Sequence, residues 1–374
     1  QRYIGWIDAA HVTSEAFLAL VYECLGRQNM AEAALGCILE VVNKGMDEGS
    51  RLELLARLRV FALLEGLRGL EEDADVAEAA AEVVCAAGTH LLVAWDATEP
   101  GLLAGLLAGD EAQSAAAAAT VGLLNEAMPQ LFRYMSHRHV DVASTVLPLA
   151  KRLLDTASRQ AEEDTRLEAA RAQRENISAR DGTGAAVSVA PFLAAAHLPQ
   201  LLATVLEQMQ YSEDFDFADS DEEEADEECH RRAVRKVFVQ CVRVVPGLCL
   251  DLACSALGGA LRSGPLSALP FQRAEALLRL VYHFGEGRSD YSEGPFPALL
   301  AALHRSDAAS HPHWSVATLY FEVADRYWKL LRKDLEAVGL VLERMCSGCG
   351  LTNPHPTLRA RTCFLLKSLT KHLG

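Results

Sequence analysis

Several absences narrow what this chain can do. The sequence contains no HExxH pair, no nucleophile elbow, no GxxxxGK[ST] loop and no GxGxxG turn, and its twelve histidines are scattered. Metallopeptidase, esterase, nucleotide-hydrolase and dinucleotide chemistry therefore lack their constellations, so neither an enzyme activity nor a cofactor is expected. Hairpin turns and alternating β-branched runs are scarce, which leaves little from which to build strands. No apolar stretch of about 18 residues runs free of charges or breakers, so no membrane span is expected. No secretory leader follows Gln1, and a chain opening on Gln1 rather than Met reads as a segment of something longer. Of ten cysteines, only Cys346 and Cys349 form a close pair. With His355 and Cys363 they offer four zinc ligands, but there is no second CxxC and the spacing fits no common zinc module, so they read as free thiols and no metal site is expected. The cysteines sit mostly within apolar helical patterns, which suits a reducing cytosolic or nuclear interior.

Helical periodicity is what the chain has in abundance. Its 374 residues are 50% hydrophobic, enough for a large core but longer than one compact domain usually is. Ala31, Ala34, Leu35, Ile38, Leu39 and Val42 fall on one face of a helix, with Asn29 and Glu32 placed as a capping box and Gly45 as its close. An earlier helix over 14–26 must lie antiparallel to it, because the link is so short. Further helices are expected near 50–70, 74–96, 112–135, 139–158, 191–210, 234–245, 247–262, 270–285, 295–304, 312–332, 334–346 and 356–373, with Pro312 opening the one over 312–332. About seven pairs of 40 to 50 residues match the period of HEAT-type repeats, whose pairs bury their faces by stacking on neighbours. The fold class is thus all-α, a HEAT-type solenoid of stacked antiparallel helix pairs. Helical repeats over 1–159 and 189–374 are expected to flank a polar, flexible inserted linker at 160–188 that starts as a helical extension.

Residues 211–228 stand apart. Eleven carboxylates and no basic residue lie there, and they account for all but about -5 of a formal charge of -16. Such repulsion favours a solvated loop. Tyr211, Phe215 and Phe217 alternate with acids, a pattern that can lay rings on a partner while carboxylates meet its cations. Asp214, Phe215, Asp216, Phe217, Asp221, Glu222, Glu223 and Glu224 are therefore candidate partner-binding residues. A negative total does not exclude nucleic acid on one face. Lys151, Arg152, Arg231, Arg232, Arg235, Lys236, Arg359, Arg361, Lys367 and Lys371 are the candidate RNA-binding residues, since cations along helices can track a phosphate backbone. For each of them, a solvated face with local ion pairs is the simpler reading.

Several segments carry a resemblance. Tyr3 to Asp8 (YIGWID), Glu40 to Asp47 (EVVNKGMD), the acidic stretch followed by a basic helix, and Leu358 to Thr362 (LRART) resemble the exportin-T family, the transfer-RNA export receptors of the importin-β superfamily. The resemblance implies a solenoid that wraps tRNA together with Ran-GTP, contacts nuclear pore proteins and shuttles between nucleus and cytoplasm, with no membrane and no small-molecule substrate. It places this chain in the middle of the arch, without the amino-terminal domain that is the superfamily's principal docking surface for Ran. The alternative is a HEAT-repeat scaffold that binds only proteins, through the aromatic-acidic loop.

Overall fold

The computed structural model describes residues 7, 9–12, 14–67, 69, 72–108, 111–175, 193–217, 222–288 and 290–373. Helices and short 3-10 turns make up all the regular structure of these residues, and they form two compact units, Gln1–Leu201 and Leu202–Gly374.

The first unit contains α1 (Ala9–Val12), α2 (Glu15–Leu25), α3 (Ala31–Val42), α4 (Glu48–Leu58), α5 (Val60–Gly66), α6 (Ala74–Ala108), α7 (Glu111–Met135), α8 (Val140–Thr145) and α9 (Leu147–Glu175). At its centre is α6, packed on α3, α7, α8 and α9. Small residues bring part of it close to its neighbours: Ala77, Ala80, Ala81 and Ala87 are buried alongside Val83, Val84, Leu91 and Trp95, and a methyl group on Gly88 would lie 2.6 Å from the Leu149 side chain. Residues Ala74–Ala97 are long and apolar enough to cross a membrane by length and composition, yet 56% of the apolar window is buried inside the fold. Here they form the core helix of the unit.

The caps differ from expectation in detail. Ser14 accepts from the Phe17 N–H at the start of α2, but α3 starts after Met30, which offers no side-chain cap, and it closes at Asn43. Asn29 falls inside a 3-10 turn, Gln28–Met30, so the Asn29–Glu32 capping box does not form, and Gly45 lies beyond the helix end. The NKGMD segment instead folds around Arg51. That buried guanidinium donates to the carbonyls of Val42, Lys44 and Met46 at 3.0, 3.3 and 3.4 Å. Asp47 caps α4 through the Ser50 N–H at 3.0 Å. The expected 50–70 helix is broken at Arg59, whose φ of 47 lies in the left-handed region. Over residues 160–175 the chain continues α9 to Glu175, so the 160–188 segment starts as a helix. Gln160 there accepts from the Ala194 N–H at 3.1 Å, and the remainder of the expected linker, 176–188, lies outside the described residues.

In the second unit α10 (Leu198–Gln208), α11 (Glu222–Val244), α12 (Pro246–Ser263), α13 (Phe271–Gly287), α14 (Phe296–Arg305), α15 (Trp314–Arg326), α16 (Trp328–Leu331), α17 (Leu335–Cys346) and α18 (Pro356–Leu373) follow the expected order; α10 spans the boundary between the units. Helices α11, α13, α15 and α18 pack side by side as one layer, and α12, α14 and α17 as a second. This is the pair stacking of a HEAT-type repeat. The first layer is close-packed: the Tyr327 hydroxyl donates to the Val281 carbonyl at 2.5 Å and accepts from the Gly285 N–H at 2.8 Å. A methyl group on Gly287 would lie 2.5 Å from Val242 Cβ. Helix α15 opens at Trp314 rather than Pro312, with His313 accepting from the Ser315 N–H at 3.3 Å.

Candidate nucleic-acid interface

Helix α11 has acids in its first half, Glu222 to Glu228, and cations in its second, Arg231 to Arg243. The acidic residues at 222–228 were expected to stay extended, yet they are helical. Carboxylates at a helix N-terminus are favoured by the macrodipole, and several find partners. Glu227 accepts from the Ser212 N–H at 2.9 Å and the Ser212 hydroxyl at 2.7 Å. Glu228 accepts from the Tyr211 hydroxyl at 2.5 Å, from Arg231 at 3.3 Å and from Arg235 at 3.1 Å. Burial pushes the Glu228 carboxyl up, but the Tyr211 hydrogen bond and the two guanidiniums outweigh it and hold it below its ordinary value.

The rings of the acidic segment are not free. Tyr211 is buried, and Phe215 and Phe217 are half-buried. Phe215 lies 4.4 Å from the Tyr211 ring, and Phe217 lies 5.9 Å from Phe271, 5.0 Å from His313 and 5.3 Å from Trp314. The row continues through the parallel stacks of Phe271 on His313 at 4.0 Å and Trp314 on His355 at 4.6 Å. Residues expected to offer aromatics to a partner thus pack on their own fold, because burying ring area on the starts of α13 and α15 outweighs leaving it in water. Glu213, Asp214 and Asp216 remain exposed. Asp221 lies outside the described residues, as do the side chains of Glu222 and Glu223, whereas Glu224 is half-buried.

The expected RNA-binding cations fall into two groups. Arg231 is only 1% exposed. It pairs with Glu275 of α13, itself 1% exposed, at 2.7 Å, and donates to the Met209 carbonyl at 2.9 Å. Glu275 also holds Arg279 at 2.5 Å. Arg231 is therefore a buried tie and does not face solvent. Arg235 is half-buried and committed to Glu228. Arg152 pairs with Asp96 of α6 at 2.5 Å, alongside Arg159 at 2.8 Å and the Thr156 hydroxyl at 3.0 Å, and Lys151 beside it is half-buried. Arg361 pairs with Glu322 of α15 at 2.7 Å, and Arg359 donates to the Asn353 and Pro354 carbonyls at 2.8 and 2.7 Å.

The exposed group comprises Arg232 and Lys236 on α11 and Lys367 and Lys371 on α18. Arg243 joins it. Arg232, Lys236, Val239 and Arg243 follow one another at i, i+4, i+7 and i+11, a single helical stripe, and they line a cleft of about 340 Å³ with Arg235, His283 and Glu286. Burial lowers the His283 pKa, so α13 adds a neutral imidazole to this cleft near neutrality. Arg243 is not among the residues expected to bind RNA, although its helical spacing from Arg232 and Lys236 was an available signal. Sequence reasoning also missed Trp328, around which Lys329 and Arg332 gather.

Cys346, Cys349, His355 and Cys363 are not brought together as a site. Cys349 Sγ contacts the Ser310 hydroxyl at 3.4 Å, and His355 stacks on Trp314. Among the described residues no group of three or more His, Cys, Asp or Glu side chains is arranged to hold a metal ion.

Comparison with known proteins gives a consistent result. A family model for Exportin-T matches residues 188–374. Over the whole chain the sequence is 21% identical to Exportin-T of Danio rerio, of which it covers 36%, and 24% identical to Exportin-T of Arabidopsis thaliana, of which it covers 35%. The chain thus spans about a third of the length of the curated relatives it matches. Its fold resembles that of a solved structure of importin13 in its cytosolic state, with a TM-score of 0.63 at 13% identity, over 95% of this chain and 38% of the other.

Proposed function

The chain belongs to the exportin-T family, and on that footing we propose that it forms the central part of a nuclear export receptor that binds tRNA together with Ran-GTP, contacts nuclear pore proteins and shuttles between nucleus and cytoplasm. The observation that carries the RNA part is the stripe of Arg232, Lys236 and Arg243 beside the cleft of α11 and α13, in a protein whose net charge is -16. Cations held on one face against that overall charge suit a polyanion, and a groove that reads phosphates and helix shape suits RNA duplex. Lys367 and Lys371 are further exposed cations, on α18 of the same layer.

The acidic segment works by charge. Glu213, Asp214 and Asp216, exposed on a backbone that the docked rings hold in place, repel RNA from the amino-terminal end of α11 and offer carboxylates to a basic surface such as one on Ran. Transport of this kind needs no covalent chemistry and no small-molecule substrate. It needs tRNA and Ran-GTP to favour the same arrangement of the stacked helices, and the coupling is then reciprocal. The scaffold alternative loses ground because Phe215 and Phe217, the rings it needs for a linear motif, already pack on the fold.

Fluorescence anisotropy of labelled tRNA with the purified protein, in the presence and absence of Ran-GTP, tests the proposal. Affinity should rise at least about fivefold with Ran-GTP. Equal affinity in both conditions would return the chain to a protein-binding scaffold.

A further inference from the structure

Trp328 opens the short helix α16, between α15 and α17. Its indole is half-buried, and the imidazole of His372, from the last turn of α18, stacks on it with ring centres 4.5 Å apart and planes 8° from parallel. Arg332 Cζ lies 5.1 Å and Lys329 Nζ 5.9 Å from the indole centre. Lys367 and Lys371 lie one turn apart on a face of α18 other than that of His372. Lys329, Arg332, Lys367, Lys371 and His372 are all exposed. Arg305, Arg326, Arg344 and Arg361 in the same unit are spent on carboxylates or on backbone carbonyls. Among the described residues none of Lys329, Arg332, Lys367 and Lys371 is in an ion pair.

A ligand that satisfies this site must bring a flat ring and a closely attached anion. The ring requirement follows from the His372–Trp328 stack, which shows that the indole accepts a parallel planar partner at van der Waals distance. The anion requirement follows from Arg332 and Lys329, exposed cations beside the indole with no ion-pair partner among the described residues. An unpaired nucleotide meets both, because its base has an open π-face and its phosphates lie a few ångströms away; bases within a duplex are already stacked and have no face to give. Acidic peptides supply the anion without the ring.

We propose that Trp328 and His372, with Lys329 and Arg332 beside them, form a binding site for single-stranded RNA, in which an unpaired base extends the His372–Trp328 stack and its phosphates meet the cations. The site deepens the reading of the chain as an RNA carrier and rests on it for its biological sense, because it gives that carrier a means of engaging unpaired nucleotides that the phosphate-tracking stripe of α11 lacks.

The test is a titration of a fluorescein-labelled eight-nucleotide CA-repeat RNA, which cannot pair with itself, with the purified protein in the absence of Ran. Trp328→Ala should weaken binding about tenfold, while Trp328→Phe should keep most of the affinity. An abasic oligomer of the same length should bind the unaltered protein about as weakly as the base-bearing RNA binds Trp328→Ala, an arm that does not depend on how any variant folds. Equal binding of the base-bearing and abasic oligomers would overturn the site, as would a polyglutamate peptide binding as tightly as the RNA. Since Ran and folded tRNA are absent, the site can stand where Ran-coupled tRNA binding fails, and can fail where that binding stands.

Discussion

The guanidinium carbon of Arg231 lies 3.2 Å from the centre of the Tyr211 ring. Tyr211 opens the acidic segment and Arg231 lies in the cationic half of α11, so this contact pins one to the other. The same guanidinium reaches Glu228 on its own helix and Glu275 on α13. A cation that sequence alone assigns to RNA is instead the joint that holds the acidic segment, α11 and α13 together.

Arg231→Met should therefore destabilise the protein strongly, because it leaves the Glu275 carboxylate buried with Arg279 as its remaining ion-pair partner. Removing one partner of a buried pair costs about 3–5 kcal/mol. Arg232→Met, one residue on but exposed, should stay within about 0.5 kcal/mol of the unaltered protein. Urea unfolding of the two variants measures the contrast, and equal midpoints would refute the buried tie.

Acid should weaken the fold through its histidines. Burial pushes the His304 imidazole down to about 4, and burial likewise lowers His283 beside Glu286. Between about pH 6.5, where a free histidine titrates, and about pH 4, the unfolded chain takes up protons that the native state refuses. Stability is then full above that window and falls as pH drops through it. His304→Phe should flatten the dependence of the urea midpoint between pH 7 and 5. An unchanged slope in that variant would show that His304 does not drive the loss.

The docked rings should matter locally. Phe215→Ala combined with Phe217→Ala removes the packing against Tyr211, Phe271, His313 and Trp314, so amide hydrogen exchange over 211–217 should speed up by about tenfold or more while the helices of the same unit keep their protection, as expected for local opening. Unaltered exchange would mean that hydrogen bonds such as Ser212 to Glu227 hold the segment without the rings.

Much of this was legible in the sequence, for reasons that individual residues display. Val234, Val237, Phe238, Cys241 and Val242 repeat at helical spacing and are all buried, so the period alone oriented α11. That stripe also foretold Arg231, which precedes Val234 by three residues and Phe238 by seven and so lies on the inward face; its charge masked the signal. Its partner Glu275 is forty-four positions away, a pairing that only the stacking of α11 on α13 creates. The acidic segment was misjudged for a related reason: counting charges predicts repulsion, but says nothing of where Phe217 can find Trp314. The break at Arg59 left no trace because nothing about an arginine announces a left-handed φ.

If the exposed stripe of α11 carries RNA phosphates, tRNA binding must depend on salt through those side chains. The decisive comparison is anisotropy over a salt series, with Ran-GTP present, for the unaltered protein and for a variant with Arg232, Lys236 and Arg243 each changed to Glu. Arg235 is left in place so that the Glu228 network survives. Each phosphate left without its cation should shallow the slope of log K against log salt by about 1, so the variant should bind more weakly with a slope shallower by about 2 to 3. The same affinity and the same slope in both proteins would contradict this role for the stripe and place the RNA elsewhere on the solenoid.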